Sequence, residues 1–196
     1  DYNLYLNLKN KSIIKDKYIA YLDQKLIGHP EFEFLNTPNF YDKKFYHYLK
    51  LFFEKIEKFY NRKVIFCAHP RAKKEDEYLK NFNNVVFHES AYYSMNSDFV
   101  IAHDSVSLNF PILFKKPILL VNVPGMELSD KLNNLKVTSE ILDCGLTDID
   151  NFNFDENISK NEINEKKYND YIKKYIKYGG EEINSWEIIS KKLLKI

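Results

Sequence analysis

Residues 97–121, SDFVIAHDSVSLNFPILFKKPILLV, constrain the fold more than any other stretch of this chain. An apolar run at 99–102 leads into His103, Asp104, Ser105, Val106 and Ser107. Phe110, Leu113 and Phe114 then recur at helical spacing, Lys115-Lys116-Pro117 stops that helix, and 118–121 is a second apolar run. Strand, polar turn, helix, strand is the repeating unit of a parallel sheet, whose ligands bind at the carboxyl edge where the polar turns lie. Asp104 or Ser105 can cap the helix, and the amides of its first turn would face an anion held there, with a phosphate the natural candidate.

The rest of the chain repeats this alternation. Residues 18–22 (YIAYL), 63–68 (KVIFCA) and 85–87 read as strands, the first ending in Asp23-Gln24 and the second in His69-Pro70-Arg71. Helices are expected at 40–60, where Phe45, Tyr48, Leu49, Phe52, Phe53, Ile56 and Phe59 share one face, and at 73–81, 90–95 and 126–135. Two terminal helices, 166–178 and 184–194, are separated by Gly179-Gly180, with Asn184 or Ser185 as the start signal of the second. Residues 25–38 and 148–165 read as loops, and residues 1–17 as a polar lead-in with no assigned role. The succession predicts an α/β fold: a Rossmann-like parallel sheet with helices on both faces and right-handed crossovers, forming one domain over 1–196.

Composition narrows the function. With 29 Lys plus Arg against 28 Asp plus Glu, the net charge of +1 provides no field for a polyanion, so no nucleic-acid partner is expected. The 15 Tyr and 15 Phe fall mostly on helical faces and read as core. Cys67 lies inside an apolar run and Cys144 stands apart, which suits a reducing compartment and offers no zinc spacing. No apolar run approaches the length of a membrane span and no signal peptide opens the chain, so a cytoplasmic location is expected. The chain does not begin with Met, which points to a fragment or a processed chain. Five Gly, and no phosphate-loop, dinucleotide or nucleophile-elbow pattern, argue against a glycine-cradled nucleotide. Asp148-Ile149-Asp150 has the form of a metal-binding DxD but reads as a solvated turn, so no metal and no cofactor are expected.

Two strand ends then carry the chemistry. His69, Pro70 and Arg71 follow one strand, and His103, Asp104, Ser105 and Ser107 follow another, on the same sheet edge. Arg can make paired bonds to phosphate oxygens, and imidazole and hydroxyl donors add single ones, so these residues form a candidate phosphate cradle. Asp23 and Gln24 end the first strand and are candidates for the same cleft. His103 with Asp104, or His69 with Asp104, could also form an acid–base pair.

His-Pro after one strand, followed by a strand, a Ser-containing turn, a helix and a Lys-Pro-Ile strand, resembles the C-terminal nucleotide-binding half of GT-B glycosyltransferases over residues 18–123. The nearest groups are bacterial sialyltransferase-like and capsule-sugar transferases, and the CDP-glycerol glycerophosphotransferases. The resemblance implies a metal-independent enzyme of bacterial surface-glycan synthesis whose substrate is a CMP-activated acidic sugar, sialic-acid-like or Kdo-like, with His69-Pro70 and Ser105 with Ser107 on the nucleotide phosphate. It also implies a surface-glycan acceptor, peripheral contact with the inner membrane face, and an N-terminal half that supplies the catalytic base. The chain has the length of one half, so alone it is expected to bind donor without transferring sugar. The alternatives are polyol-phosphate transfer from CDP-glycerol and a non-catalytic nucleotide-binding or assembly module. In the transferases the Ser/Thr pair is usually contiguous, whereas Val106 intervenes here.

Overall fold

A computed structural model describes residues 1–11, 17–26, 34, 44–126, 130–152, 162–177 and 183–194. Six parallel strands form one sheet: β1 (Tyr18–Leu22), β2 (Lys63–Ala68), β3 (Val85–Phe87), β4 (Val100–Ala102), β5 (Ile118–Asn122) and β6 (Gly145–Asp148). Their order across the sheet is β3-β2-β1-β4-β5-β6, the doubly wound, Rossmann-like order. Leu22 pairs with Cys67 on one side and with Ala102 on the other, which brings Asp23, the His69 turn and the His103 turn to one carboxyl edge.

Strand alternation assigns the faces. Tyr21 packs on Phe53 of α2 (Phe45–Tyr60), with ring centroids 5.0 Å apart, while Tyr18, of opposite parity, packs on Tyr93 of α3 (Ser90–Asn96) at 5.6 Å. The two helices therefore cover opposite faces. α2 buries Phe45, Tyr46, Leu49, Phe52, Phe53 and Ile56, each large side chain contributing about 2 kcal/mol on removal from water. The sequence face differs at two positions: Tyr46 is buried, and Phe59 is 52% exposed. α2 ends at Asn61, whose left-handed φ of 51° lets its N–H return to the Glu57 carbonyl. Residues 40–43 of the expected helix lie outside the described residues.

Five elements differ from expectation. The lead-in contains a helix, α1 (Tyr2–Leu8), which packs Leu8 into a small cluster with Ala91, Met95 and Phe110. The expected helix at 73–81 is a 3-10 turn, Glu77–Asn81. The helix after Ser107 is brief: a 3-10 turn, Val106–Leu108, then α4 (Asn109–Leu113). The segment expected to be a loop from 148 begins instead on β6, whose last residue is Asp148. The connection before β6 is α5 (Lys131–Leu142), later in the chain than the 126–135 read from sequence. After β6 come α6 (Glu165–Tyr171), a π-helical turn Ile172–Ile176, and α7 (Ser185–Leu193), whose start is capped by the Asn184 side chain accepting from the Trp186 N–H at 2.8 Å. Gly179 and Gly180, and most of the 25–38 loop, lie outside the described residues.

Candidate functional site

The sheet order reverses direction between β1 and β4, and at the carboxyl ends of these strands lies a cleft of about 610 Å³. Open α/β sheets hold ligands at such switch points because the loops leaving the two strands diverge. Asp23, Gln24, His69, Pro70, Asp104, Ser105 and Ser107 all line it.

The serine turn is built from side chains. Ser105 adopts extended backbone (φ −149°, ψ 158°) at the start of the 3-10 turn and makes no side-chain cap; its carbonyl accepts from the Leu108 N–H at 3.0 Å. Its hydroxyl instead meets that of Ser107. Val106 does not separate the pair, because the tight turn directs it outward, 74% exposed. The cap expected at Ser105 is therefore absent, and with α4 only five residues long the helix amides provide little field for an anion. The hydroxyls remain as the turn's donors.

His69 is half-buried. Its Nδ1 accepts from the Arg71 N–H at 3.2 Å, which in the neutral ring places the proton on Nε2. Its carbonyl closes the turn by accepting from the Ala72 N–H at 2.8 Å. Pro70 lies on the same turn and lines the cleft, but Arg71 is exposed and does not line it, so the expected bidentate arginine is not brought to the other donors. Among the described residues, Lys131, at the start of α5, is the cationic side chain that lines the cleft. The sequence reading, with its helix across 126–135, put Lys131 in the middle of a helix rather than at the start of one beside the sheet edge. Ser90, Phe110 and Asp1 were missed as well; Asp1 reaches the cleft because α1 folds back and its carboxylate accepts from Asn109 at 2.9 Å.

His103 requires a correction. It is completely buried: Nδ1–H donates to the Val121 carbonyl at 2.9 Å, and Nε2 accepts from the Tyr21 hydroxyl at 2.9 Å. Both ring nitrogens are committed to joining β1, β4 and β5, so His103 is neither a cleft donor nor the acid–base partner of Asp104. Burial, with the Lys131 charge adding to it, lowers its pKa to about 4, and it is neutral at ordinary pH.

The two cleft carboxyls differ in surroundings. Asp23 is 5% exposed, and burial raises its pKa to about 6 against the opposing hydrogen bonds from the Lys25 and His69 amides and the Tyr78 hydroxyl. Asp104 is half-buried; burial raises its pKa, while the Lys131 charge and a bond from Asn134 pull it back. Asp104 and His69 both line the cleft.

Asp148 lies on the carboxyl edge of β6, separated from β4 by β5, and accepts from Asn122 Nδ2 at 2.6 Å. It does not line the cleft, and among the described residues there is no group of three or more His, Cys, Asp or Glu side chains arranged to hold a metal. Cys67 and Cys144 are both buried and are not joined in a disulfide. Among the described residues no helix is long and apolar enough to cross a membrane.

The sheet and its switch-point cleft define a Rossmann-like α/β protein with a site of the kind that holds small polar ligands. No family model matches the chain, and no curated protein matches it. Among solved structures, UDP-GlcNAc 2-epimerase of Methanocaldococcus jannaschii, crystallised with UDP-GlcNAc and UDP, is similar at 17% identity and a TM-score of 0.47. The match covers 100% of this chain and 48% of that one, so the chain spans about half the length of that relative.

Proposed function

We propose that this chain is the donor-nucleotide-binding half of a GT-B glycosyltransferase that uses a CMP-activated acidic sugar in bacterial surface-glycan synthesis. The observation that carries the reading is the meeting, in one switch-point cleft, of His69, the Ser105–Ser107 hydroxyl pair and Lys131. These are the donors and the charge that a phosphate needs, and His69-Pro70 with the two serines are the residues that resemble the transferase pattern.

When the bond between sugar and phosphate breaks, negative charge accumulates on the leaving phosphate. Donors already aimed at it stabilise that charge without reorganising. Lys131 supplies the full positive charge, and His69 and the serines supply hydrogen bonds. Activation of the acceptor hydroxyl falls to a base in an N-terminal half. Work at the inner membrane face is supported by α7, which exposes Trp186, Ile189 and Leu193 beside Lys191 and Lys192.

Calorimetric titration with CMP, CDP, UDP, GDP and cytidine, with melting curves on the same samples, tests the reading. The cytidine nucleotides should bind best. His69→Ala should weaken CMP by roughly 1 to 3 kcal/mol with cytidine nearly unaffected, because only the phosphate contact is removed. No binding by any nucleotide, or equal losses for CMP and cytidine, refutes the phosphate site.

A further inference from the structure

Three consecutive residues leaving β1 divide between the two sides of the cleft: Asp23 and Lys25 bond to the segments that follow β2, and Gln24 to the turn that follows β4. The Asp23 N–H continues the ladder to the Cys67 carbonyl at 3.0 Å. Its carboxylate accepts from the Lys25 N–H at 2.9 Å through Oδ1, and from the His69 N–H at 3.3 Å and the Tyr78 hydroxyl at 3.0 Å through Oδ2. Gln24 Nε2 donates across the switch point to the Asp104 carbonyl at 2.6 Å. Lys25 turns back over β2, its ammonium donating to Asp76 at 2.9 Å and to the Arg71 carbonyl at 3.3 Å.

This turn is costly in two ways. Lys25 holds a left-handed φ of 50°, which a side chain with a Cβ disfavours. A carboxyl at 5% exposure has been withdrawn from water, a change that stabilises the fold only if donors converge on it. Those donors come from the two segments that follow β2, the His-Pro turn and the Tyr78 turn. The Asp23–Lys25 bond in turn holds the strained backbone that directs Gln24 and Lys25 to opposite sides.

We propose that Asp23-Gln24-Lys25 is the positioning element of the site: Asp23 and Lys25 fix the His69-Pro70 turn, and Gln24 fixes the Ser105 turn, so that the two walls close on one phosphate. This rests on the reading of the cleft as a nucleotide site. Asp23 acts through His69 and does not itself touch the ligand. The charged and titratable groups around its carboxyl are Lys25 and His69 in the flanking turns, Cys67 of β2, Tyr46 of α2, Tyr78 of the 3-10 turn and Tyr21 of β1.

The test uses Asp23→Asn, which keeps an acceptor for the Lys25 N–H but faces an amide NH₂ toward the His69 N–H, donor against donor. CDP affinity should fall at least tenfold and cytidine affinity by less than twofold. NMR provides an arm that needs no ligand: in wild type the Asp23 side-chain carboxyl and the Lys25 amide should titrate together with a midpoint near pH 6, and the Lys25 transition should vanish in Asp23→Asn. Should Asp23→Asn fail to fold, Lys25→Ala, which removes the bonds to Asp76 and Arg71 and the ammonium charge near Asp23 but keeps the Lys25 N–H, should cost CDP several-fold and cytidine nothing. Unchanged CDP affinity, equal losses for CDP and cytidine, or a Lys25 amide indifferent to Asp23 overturns the proposal. A wild type that binds no nucleotide yet shows the shared titration refutes the nucleotide reading and leaves the turn's geometry standing.

Discussion

His103 and Asp23 occupy equivalent positions at the ends of neighbouring strands, and their proton balances oppose each other. His103 has its pKa lowered to about 4, so between pH 6.5 and 4 the unfolded chain binds a proton that the folded chain refuses, and stability falls on acidification. Asp23 has its pKa raised to about 6, so between pH 6 and 3.8 the folded chain binds a proton that the unfolded chain does not, and stability rises on acidification. Each contribution amounts to about 3 kcal/mol over its window, and they nearly cancel. Urea unfolding from pH 7 to 4 should therefore show Asp23→Asn losing about 3 kcal/mol relative to wild type as pH falls, and His103→Gln gaining about as much. Parallel curves for the three proteins would show that neither group titrates as described. The same register explains why His103 was misread from sequence. Position 103 continues the alternation of Ile101 and so faces inward, beneath α2, with Tyr21; Asp104, one residue on, reaches the cleft. Alternation carried one residue past the apolar run distinguishes the two, whereas proximity to a strand end does not.

At the scale of elements, legibility followed the clarity of the period. α2 repeats its apolar positions over sixteen residues, and β1, β2 and β3 match their apolar runs, so these were readable. α1 was not: in YNLYLNL, Tyr2, Leu4, Leu6 and Leu8 alternate while Tyr2, Tyr5 and Leu8 recur every third residue, and neither template wins. β6 is four residues, GLTD, beginning on a buried glycine, and gives almost no strand signal of its own. Both are fixed by neighbours. A seven-residue helix has too few turns to persist alone, so α1 depends on its seat against α3 and α4, where Leu8 is 7% exposed and Tyr5 lies 5.1 Å from Phe114, centroid to centroid. Leu8→Ala should cost about 2 kcal/mol in urea unfolding, the low end for a core leucine because its cluster is small, while Leu4→Ala, 43% exposed, should change stability by less than about 0.5 kcal/mol. Equal effects would mean that α1 does not dock through Leu8.

At the scale of the molecule, the strand–helix succession made a parallel sheet readable, but not the order of its strands. A chain that simply added each strand beside the last would have no reversal, and the reversal between β1 and β4 is what opens the cleft. Long-range packing decides it, including the return of α3 beneath β1, where the Tyr18 hydroxyl donates to the Tyr93 carbonyl at 3.1 Å. The cleft's own groups then set the limits of what the chain can do. Sugar transfer needs a base for the acceptor hydroxyl. Asp23 is buried with three donors on it, and Asp104 shares its carboxyl with Asn134 in the field of Lys131, so both are occupied in holding the walls. Under the proposed reading, positive charge for a phosphate comes from Lys131 and the DxD candidate Asp148 is tied to Asn122 away from the cleft, so nucleotide binding is expected to need no divalent ion. The purified 196-residue chain should therefore bind CMP equally well with and without a chelator and show no transfer of sugar from a CMP-linked donor. Loss of CMP binding on chelation would show that binding depends on a metal ion and overturn this expectation. Sustained transfer by this chain would make Asp104 the base, and Asp104→Asn should then abolish turnover while leaving CMP bound.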